Sequence, residues 1–370
     1  MEVIHIVLGK ANPDRMNGVN KVVYQLATRQ TEHGLDVSVW GISSSTDRNF
    51  GERNFKTRIF KKSFNPFKAD PLLLKNLLAK KGKAVFHIHG GWIPVFSTIS
   101  RFLNQHNIPY IFTPHGAYNS IAMKRSGILK KIYFHFFENA VVRFATKIHC
   151  IGSSEVDGLR KIHATDKVVL LPYGFDEKNQ AIDQQTKGDD MIIGFVGRLD
   201  MYTKGLDLLL TAFKNFQNKI PNSKLWIIGN GNDYKKIQGL VESKGLGSSV
   251  VLYGGKFGEE KNTLIKQMSV FAHPSRNEGL PSSVLEACNF GVPCIVTKAT
   301  NVGEYIEQFN AGLSIENENS FEIEFALYQF YALWKSDALT QMKTNAQHMV
   351  KTIFDWNRLI FDFNKLYNLN

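Results

Sequence analysis

From His273 to Thr297 the chain reads HPSRNEGLPSSVLEACNFGVPCIVT, and few folds accommodate that order of residues. An apolar run, Val270 to Ala272, leads into a loop bearing Glu278, Gly279 and Leu280. Pro281 suits a first helical position, where the missing N–H costs nothing, and the helix runs through Leu285 and Glu286 to Asn289. Gly291 ends it. Pro293 to Thr297 reads as a buried strand, so the unit is strand, loop, helix, strand, a βαβ crossover with two acids at its mouth. Glu278 in the loop and Glu286 in the helix are then expected near the strand's carboxyl end, where ligands bind in open α/β sheets. Carboxylates accept hydrogen bonds from sugar hydroxyls and helix N-termini attract phosphate, which describes a pocket for a sugar carried on a diphosphate. A dipole-friendly first turn beside a solvated loop acid fits the same two residues.

The wider string favours the pocket. Glu278-Gly279-Leu280-Pro281, then Leu285-Glu286-Ala287 and Gly291-Val292-Pro293, resembles the paired-glutamate motif of the family 4 retaining glycosyltransferases, with seven residues between the acids. The resemblance implies that Glu286 holds the nucleotide ribose and Glu278 the donor sugar.

A length of 370 residues fits two domains, each large enough for a core. The three cysteines, Cys150, Cys288 and Cys294, show no metal-binding or disulfide spacing and point to a reducing compartment. The start lacks a basic lead and a long apolar run, and no window reaches spanning length, so a cytoplasmic chain, soluble or peripheral on the inner face of a membrane, is expected. The net charge of +12 is uneven: 25 Lys and Arg against 12 Asp and Glu through Asp176 give +13, and 20 against 21 in the rest give −1. A basic half fits an anionic partner, and without a nucleic-acid motif that partner is expected to be a membrane surface or a pyrophosphate-linked lipid. Lysines kept for solubility account for the charge equally well.

Glu2 to Leu8, a helix from Val19 to His33, and a strand from Asp36 to Trp40 predict a first βαβ unit. Its loop, Met16-Asn17-Gly18-Val19, places Gly18 where bare backbone can approach phosphate, although Asn17 stands where the resembling proteins often carry a glycine. His87 and His89 share one face of a strand, but no third ligand sits at a telling spacing, so no metal is expected. His115 follows the strand Tyr110 to Thr113 and matches the family's cleft histidine, which touches the donor sugar. A satisfied core histidine is the competing reading. Between Ser120 and Ala145, Lys124, Arg125, Lys130, Lys131 and Arg143 interleave with apolar residues, a pattern of a membrane-surface helix or of a packed helix with a solvated face. Strands Lys147 to Ile151 and Lys167 to Leu171 close the first sheet. A polar stretch follows as linker.

In the second half, Met191 to Val196 leads to Gly197-Arg198-Leu199 and then Lys204-Gly205 before a helix. Arg198 and Lys204 flank a strand-to-helix loop, where two cations would neutralise a diphosphate leaving group. The resemblance assigns both to that diphosphate, Gly229 to a phosphate-side turn, Gly279 and Leu280 to donor binding, and Asn301 to Glu304 to a nearby loop. The tail reads as helices over Ser320 to Met349 and Asp355 to Tyr367, and the resemblance implies that the last one returns to the first domain through Trp356, Phe361 and Leu366.

The expected architecture is α/β of the GT-B type, two Rossmann-like domains facing across a cleft. The domains are an acceptor-side domain over 1–176, a linker over 177–190, a nucleotide-sugar-binding domain over 191–350, and a returning C-terminal helix over 351–370. The expected activity is retaining transfer of a sugar from a UDP- or GDP-linked donor to a glycan or lipid-linked hydroxyl, in polysaccharide or glycolipid synthesis. His115, Arg198, Lys204 and Glu278 are the expected catalytic set. No Asp-x-Asp pair occurs in the sequence, so no metal and no cofactor beyond the donor are expected. A nucleotide-sugar epimerase and a non-catalytic sugar-nucleotide-binding module are the alternatives, and nucleic acid is not an expected partner.

Overall fold

The computed structural model describes residues 1–12, 18–47, 50–119, 123, 127–176 and 188–368. Met16, Asn17, Lys124, Arg125 and most of the polar linker lie outside them.

The chain forms two compact units. The first comprises Met1–Gly174 and Trp356–Asn370, and the second Phe175–Asp355. In the first, β1 (Glu2–Leu8), β2 (Val37–Ser43), β3 (Lys56–Lys61), β4 (Ala84–His89), β5 (Tyr110–Thr113), β6 (Lys147–Cys150) and β7 (Val168–Leu170) make a parallel sheet of order β3-β2-β1-β4-β5-β6-β7. In the second, β8 (Met191–Val196), β9 (Ser223–Ile228), β10 (Val250–Gly254), β11 (Val270–His273), β12 (Cys294–Thr297) and β13 (Gly312–Ile315) follow the order β10-β9-β8-β11-β12-β13, again parallel. Both sheets are Rossmann-like. Each reverses its winding beside its first strand, between β1 and β4 and between β8 and β11, and ligands favour the carboxyl ends at such a reversal.

Inner strands such as Glu2–Leu8 are buried on both faces, which is why they read as apolar runs. Two edge strands had no such signature. In β3, KTRIFK, only Phe60 is buried, and β13 is the four residues GLSI. The helices bury one stripe each: Leu206, Leu209, Leu210, Phe213 and Phe216 of Leu206–Lys219 enter the second core. The expected long helix from Ser320 is two, Ser320–Lys335 and Thr340–Ile353, because Asp337 adopts a left-handed φ of 56°.

The last helix, Trp356–Tyr367, packs within the first unit. Gly174 admits the Trp356 ring, for a Cβ there would lie 2.3 Å from it. Lys147 Nζ donates to the Leu366 carbonyl (2.9 Å), so a cation closes the helix's negative end. Of the three expected contacts, Trp356 and Leu366 are buried, whereas Phe361 is 62% exposed. Phe363 and Tyr367, which share a face with Trp356 and Ile360, are the buried rings instead.

Candidate active site

In the second unit the loops after β8 and β11 meet at the sheet's reversal. Gly205, with φ of 66°, starts the helix Leu206–Lys219, and a Cβ there would lie 2.0 Å from the Pro274 carbonyl oxygen, so only glycine allows this approach. Arg276 fastens the two loops. It is buried, donates to the Tyr202 carbonyl (2.6 Å), and grips both Asp207 oxygens at 2.8 Å, while its backbone N–H donates to Thr203 O. Such a bidentate pair fixes orientation as well as distance.

This fastening brings Lys204 against Glu278, which come from opposite sides of the reversal. Lys204 Nζ donates to Glu278 Oε1, and His273 Nε2 approaches the same oxygen at 3.1 Å. Asn301, itself left-handed at φ of 56°, donates to the backbone carbonyls of Glu278 (2.8 Å) and Gly279 (2.7 Å). Burial pushes the Glu278 carboxyl up, but the His273 hydrogen bond and the Lys204 charge outweigh it and bring the group down to about 2. His273 stacks between Phe195 and Phe271, its ring nearly parallel to both, and desolvation holds it below its ordinary value against the raising effect of Glu278. The anion is therefore Glu278.

The other expected residues of this unit have separate partners. Glu286, in the helix Ser282–Asn289, is bound by Lys261 at 2.5 Å rather than by Lys204. Arg198 is exposed and loosely paired with Asp200 at 3.5 Å. Leu280 packs against the apolar cluster around Val284 and Val296. Gly229 serves close packing: a Cβ would lie 1.8 Å from Gly197 O, in the loop that carries Arg198.

In the first unit His115 follows β5 in a left-handed turn, φ of 58°, stacked on Tyr173 at 5.6 Å. The buried Glu155 holds this turn by accepting from Gly116 N–H, and a Cβ at Gly158 would strike Tyr118 O at 1.8 Å. Burial pushes the Glu155 carboxyl up to about 7 against its backbone hydrogen bonds, and Glu138, which accepts from Trp92 N–H and Tyr118 Oη, is likewise raised to about 7 by burial. Gly18 begins the helix Gly18–Glu32 and is exposed. Two residues into that helix, Asn20 accepts from Ala11 N–H at 2.8 Å.

His115 is one of five histidines in contact. His5 on β1 lies beside His87 on β4 in the strand register, so β1 supplies the third ring that the local sequence spacing around His87 and His89 lacked. Ligand nitrogens of His5, His87 and His89 lie within 4.8 Å of one another, a spacing that could hold a metal ion. Each of their ring nitrogens already has a hydrogen-bond partner, which fits a polar relay better than a ligand set. Desolvation lowers all five: His5 and His149 to about 4, His115 to about 3, and His87 and His89 well below the ordinary value.

Residues 16–179 match the model described as glycosyltransferase family 4, and residues 176–349 match glycosyl transferases group 1. The chain is 24% identical over 387 residues to the O-antigen chain mannosyltransferase C of Escherichia coli, covering 99% of this chain and 98% of the relative. It is 28% identical over 243 residues to an E. coli UDP-Gal:alpha-D-GlcNAc-diphosphoundecaprenol alpha-1,3-galactosyltransferase, 60% of each chain. Among solved structures, Anabaena HepE in complex with UDP-glucose superposes with a TM-score of 0.73 at 15% identity, over 100% of this chain and 99% of that one. With the two family models together spanning residues 16–349 and the paired Rossmann-like sheets in place, the chain belongs to the family 4 and group 1 glycosyltransferases of GT-B fold.

Proposed function

We propose that this glycosyltransferase moves a sugar from a nucleoside diphosphate sugar to a hydroxyl of a glycan or lipid-linked acceptor, with retention of anomeric configuration and without a metal. The observation that carries the reading is the meeting of Lys204 and Glu278 at the reversal of the second sheet, beside the N-terminus of the helix Leu206–Lys219. A cation and a helix N-terminus there stabilise a departing diphosphate. The ionised Glu278 accepts from the hydroxyls of the reacting sugar, Glu286 holds the ribose, Arg198 adds a second cation, and His115 hydrogen-bonds the sugar. Gly18, Gly229, Gly279 and Leu280 supply backbone and packing around the donor. The names of the relatives favour a UDP donor and a polyprenyl-diphosphate-linked glycan, GDP being the other base to test. A diphosphate oxygen can take the acceptor's proton.

No described helix is long and apolar enough to cross a membrane. For contact with a lipid-linked acceptor the helix Gly127–Tyr133 and the π-helical turn after it offer Ile128, Leu129, Ile132 and Phe136, all more than half exposed, beside Lys130 and Lys131. This is the face proposed to rest on the anionic inner surface of a membrane.

The experiment is a donor screen read by released nucleoside diphosphate, with and without glycan and lipid-diphosphate acceptors. Acceptor-dependent release that survives EDTA, and a product linkage matching the donor's by NMR, are expected. Donor conversion that needs no acceptor would point to epimerisation, while manganese-dependent activity or an inverted linkage would overturn the mechanism.

A further inference from the structure

The five histidines are joined in one hydrogen-bonded chain that can be oriented in only one way. At its end His149 Nε2 lies 2.7 Å from the backbone carbonyl of Leu171, which can only accept, so His149 carries its proton on Nε2. His149 Nδ1 must then accept, and its partner at 2.8 Å is the Thr113 hydroxyl, which spends its one hydrogen there. Thr113 Oγ1 therefore accepts from His87 Nε2 at 2.6 Å. His87 Nδ1 is left to accept from the Tyr367 hydroxyl at 3.0 Å. With its hydrogen used, Tyr367 accepts from the Gln30 amide nitrogen at 3.1 Å, which turns the Gln30 carbonyl oxygen toward His5 Nε2 at 2.7 Å. His5 Nε2 thus donates and His5 Nδ1 accepts from His89 Nε2 at 2.8 Å. By the same step His89 Nδ1 accepts from His115 Nε2 at 3.0 Å.

Each link is a choice between two polarities, and the Leu171 carbonyl removes the choice for all of them. The relay requires neutral rings, which burial supplies, since desolvation depresses every one of the five. It also accounts for the invasion of the first unit's polar layer by Tyr367 from the last helix, because that hydroxyl joins the two arms.

We propose that the Leu171 carbonyl, acting through Thr113, Tyr367, Gln30 and the intervening histidines, fixes His115 as the neutral Nε2–H tautomer, so that His115 meets a donor sugar only as a hydrogen-bond acceptor at Nδ1. The group it takes is then a hydroxyl, and a carboxylate at that position is turned away. Tyr367, Gln30 and Thr113 are positioning residues. The second half of this inference rests on His115 being a sugar contact, whereas the first half does not.

The test is a long-range ¹H–¹⁵N correlation spectrum of the full chain with ¹⁵N-labelled histidine rings at neutral pH, without donor. All five histidines of the hydrogen-bonded chain are expected protonated at Nε2 and unprotonated at Nδ1. In Tyr367→Phe the anchored arm, His87 and His149, should keep that form, and His115 should lose its single tautomer and show averaged ring shifts. A His115 protonated at Nδ1 or at both nitrogens in the unmodified chain overturns the proposal, and so does a Tyr367→Phe protein whose His115 signals stay as they were. The unmodified spectrum decides the tautomer even where a variant folds poorly. If the spectrum is as expected but His115→Ala keeps full kcat with every donor, the relay stands and the sugar-contact reading falls.

Discussion

At the reversal of the first sheet, rings that burial keeps neutral hand hydrogen bonds to one another, whereas at the reversal of the second, Lys204, Glu278, Lys261 and Glu286 stand as opposite charges in pairs. The same topology therefore carries two electrostatic designs. Neutral rings hold a fixed pattern of donors and acceptors but resist protonation, because each proton would enter a desolvated layer already committed to its hydrogen bonds. Charged pairs tolerate acid until the carboxylate itself titrates and can exchange one partner for another, which suits a site whose ligand is an anion. The first design suits recognition of hydroxyls. The second suits departure of a diphosphate.

The two designs part most visibly in acid. A histidine whose folded pKa is depressed binds fewer protons folded than unfolded, so its contribution is complete above its ordinary value near 6.5 and is lost as pH falls toward about 4. Glu138 and Glu155, raised to about 7, act in the opposite sense, since they hold protons in the folded state that the unfolded chain releases above about 4.5. Five histidines against two carboxyls leave a net of about three protons near pH 5.5, or roughly 4 kcal/mol of stability per pH unit. The first unit is expected to lose amide-exchange protection between pH 6.5 and 4, while peptides around Glu278, where His273 is the single depressed histidine and the carboxylate's contribution is lost only as pH falls from 4.5 toward 2, should lose far less in that window. Equal loss in both units would show that the buried rings do not set acid stability.

Within the charged site the two acids should separate. Glu278→Ala removes the partner of both Lys204 and His273 and is expected to lower kcat about ten- to a hundredfold, the cost of one charge-assisted hydrogen bond to the sugar it is proposed to hold. Glu286→Ala frees only Lys261 and should raise the donor's KM about tenfold with a smaller change in kcat. Unchanged kinetics in both folded variants would remove the assignment. Arg276 fastens the same two loops through its bidentate grip on Asp207, so Arg276→Met should lower thermal stability and both constants together, with a loss on the order of 2 kcal/mol from the severed charged hydrogen bonds.

What the sequence disclosed follows from how far apart the cooperating residues are. Pro281, Gly291 and the two glutamates mark their βαβ unit locally, and the strand and helix form within a residue or two of where their punctuation places them. The contact of Lys204 with Glu278 spans 74 residues and depends on β8 lying beside β11, and His273 and Arg276 gain roles only once that adjacency exists. In the first unit, His87 and His89 show their shared face by spacing, but His5 and Tyr367 hydrogen-bond to them from 84 and 280 residues away, and Gln30 links those two. No periodicity encodes that. The strands β3 and β13 stayed hidden because edge strands need no second apolar face, and Phe361 was misassigned because a helical stripe drifts, leaving Phe363 rather than Phe361 in line with Trp356 and Ile360.

The smallest effect tests whether the basic first half acts beyond its own fold. Through Asp176 the chain carries 25 cations against 12 acids, and the helix Gly127–Tyr133 exposes Ile128 and Leu129 at 78% and 71% beside Lys130 and Lys131. Apolar side chains that project from a helix with no buried residue of its own have little to gain from the core, and lysines beside them are drawn to an anionic surface. Anionic vesicles are therefore expected to sediment more protein than neutral ones at low salt, with the difference fading as the Debye length falls below about 8 Å. Replacing Lys130 and Lys131 by glutamine should weaken that binding by roughly fivefold per lysine, and Ile128→Ser with Leu129→Ser should weaken it at every salt concentration. Kinetics on a short, water-soluble acceptor should be unaffected by all four changes, which separates attachment from chemistry. Equal binding to neutral vesicles, or binding that survives both pairs of substitutions, would mean that this helix does not face lipid and that the charge of the first unit serves solubility.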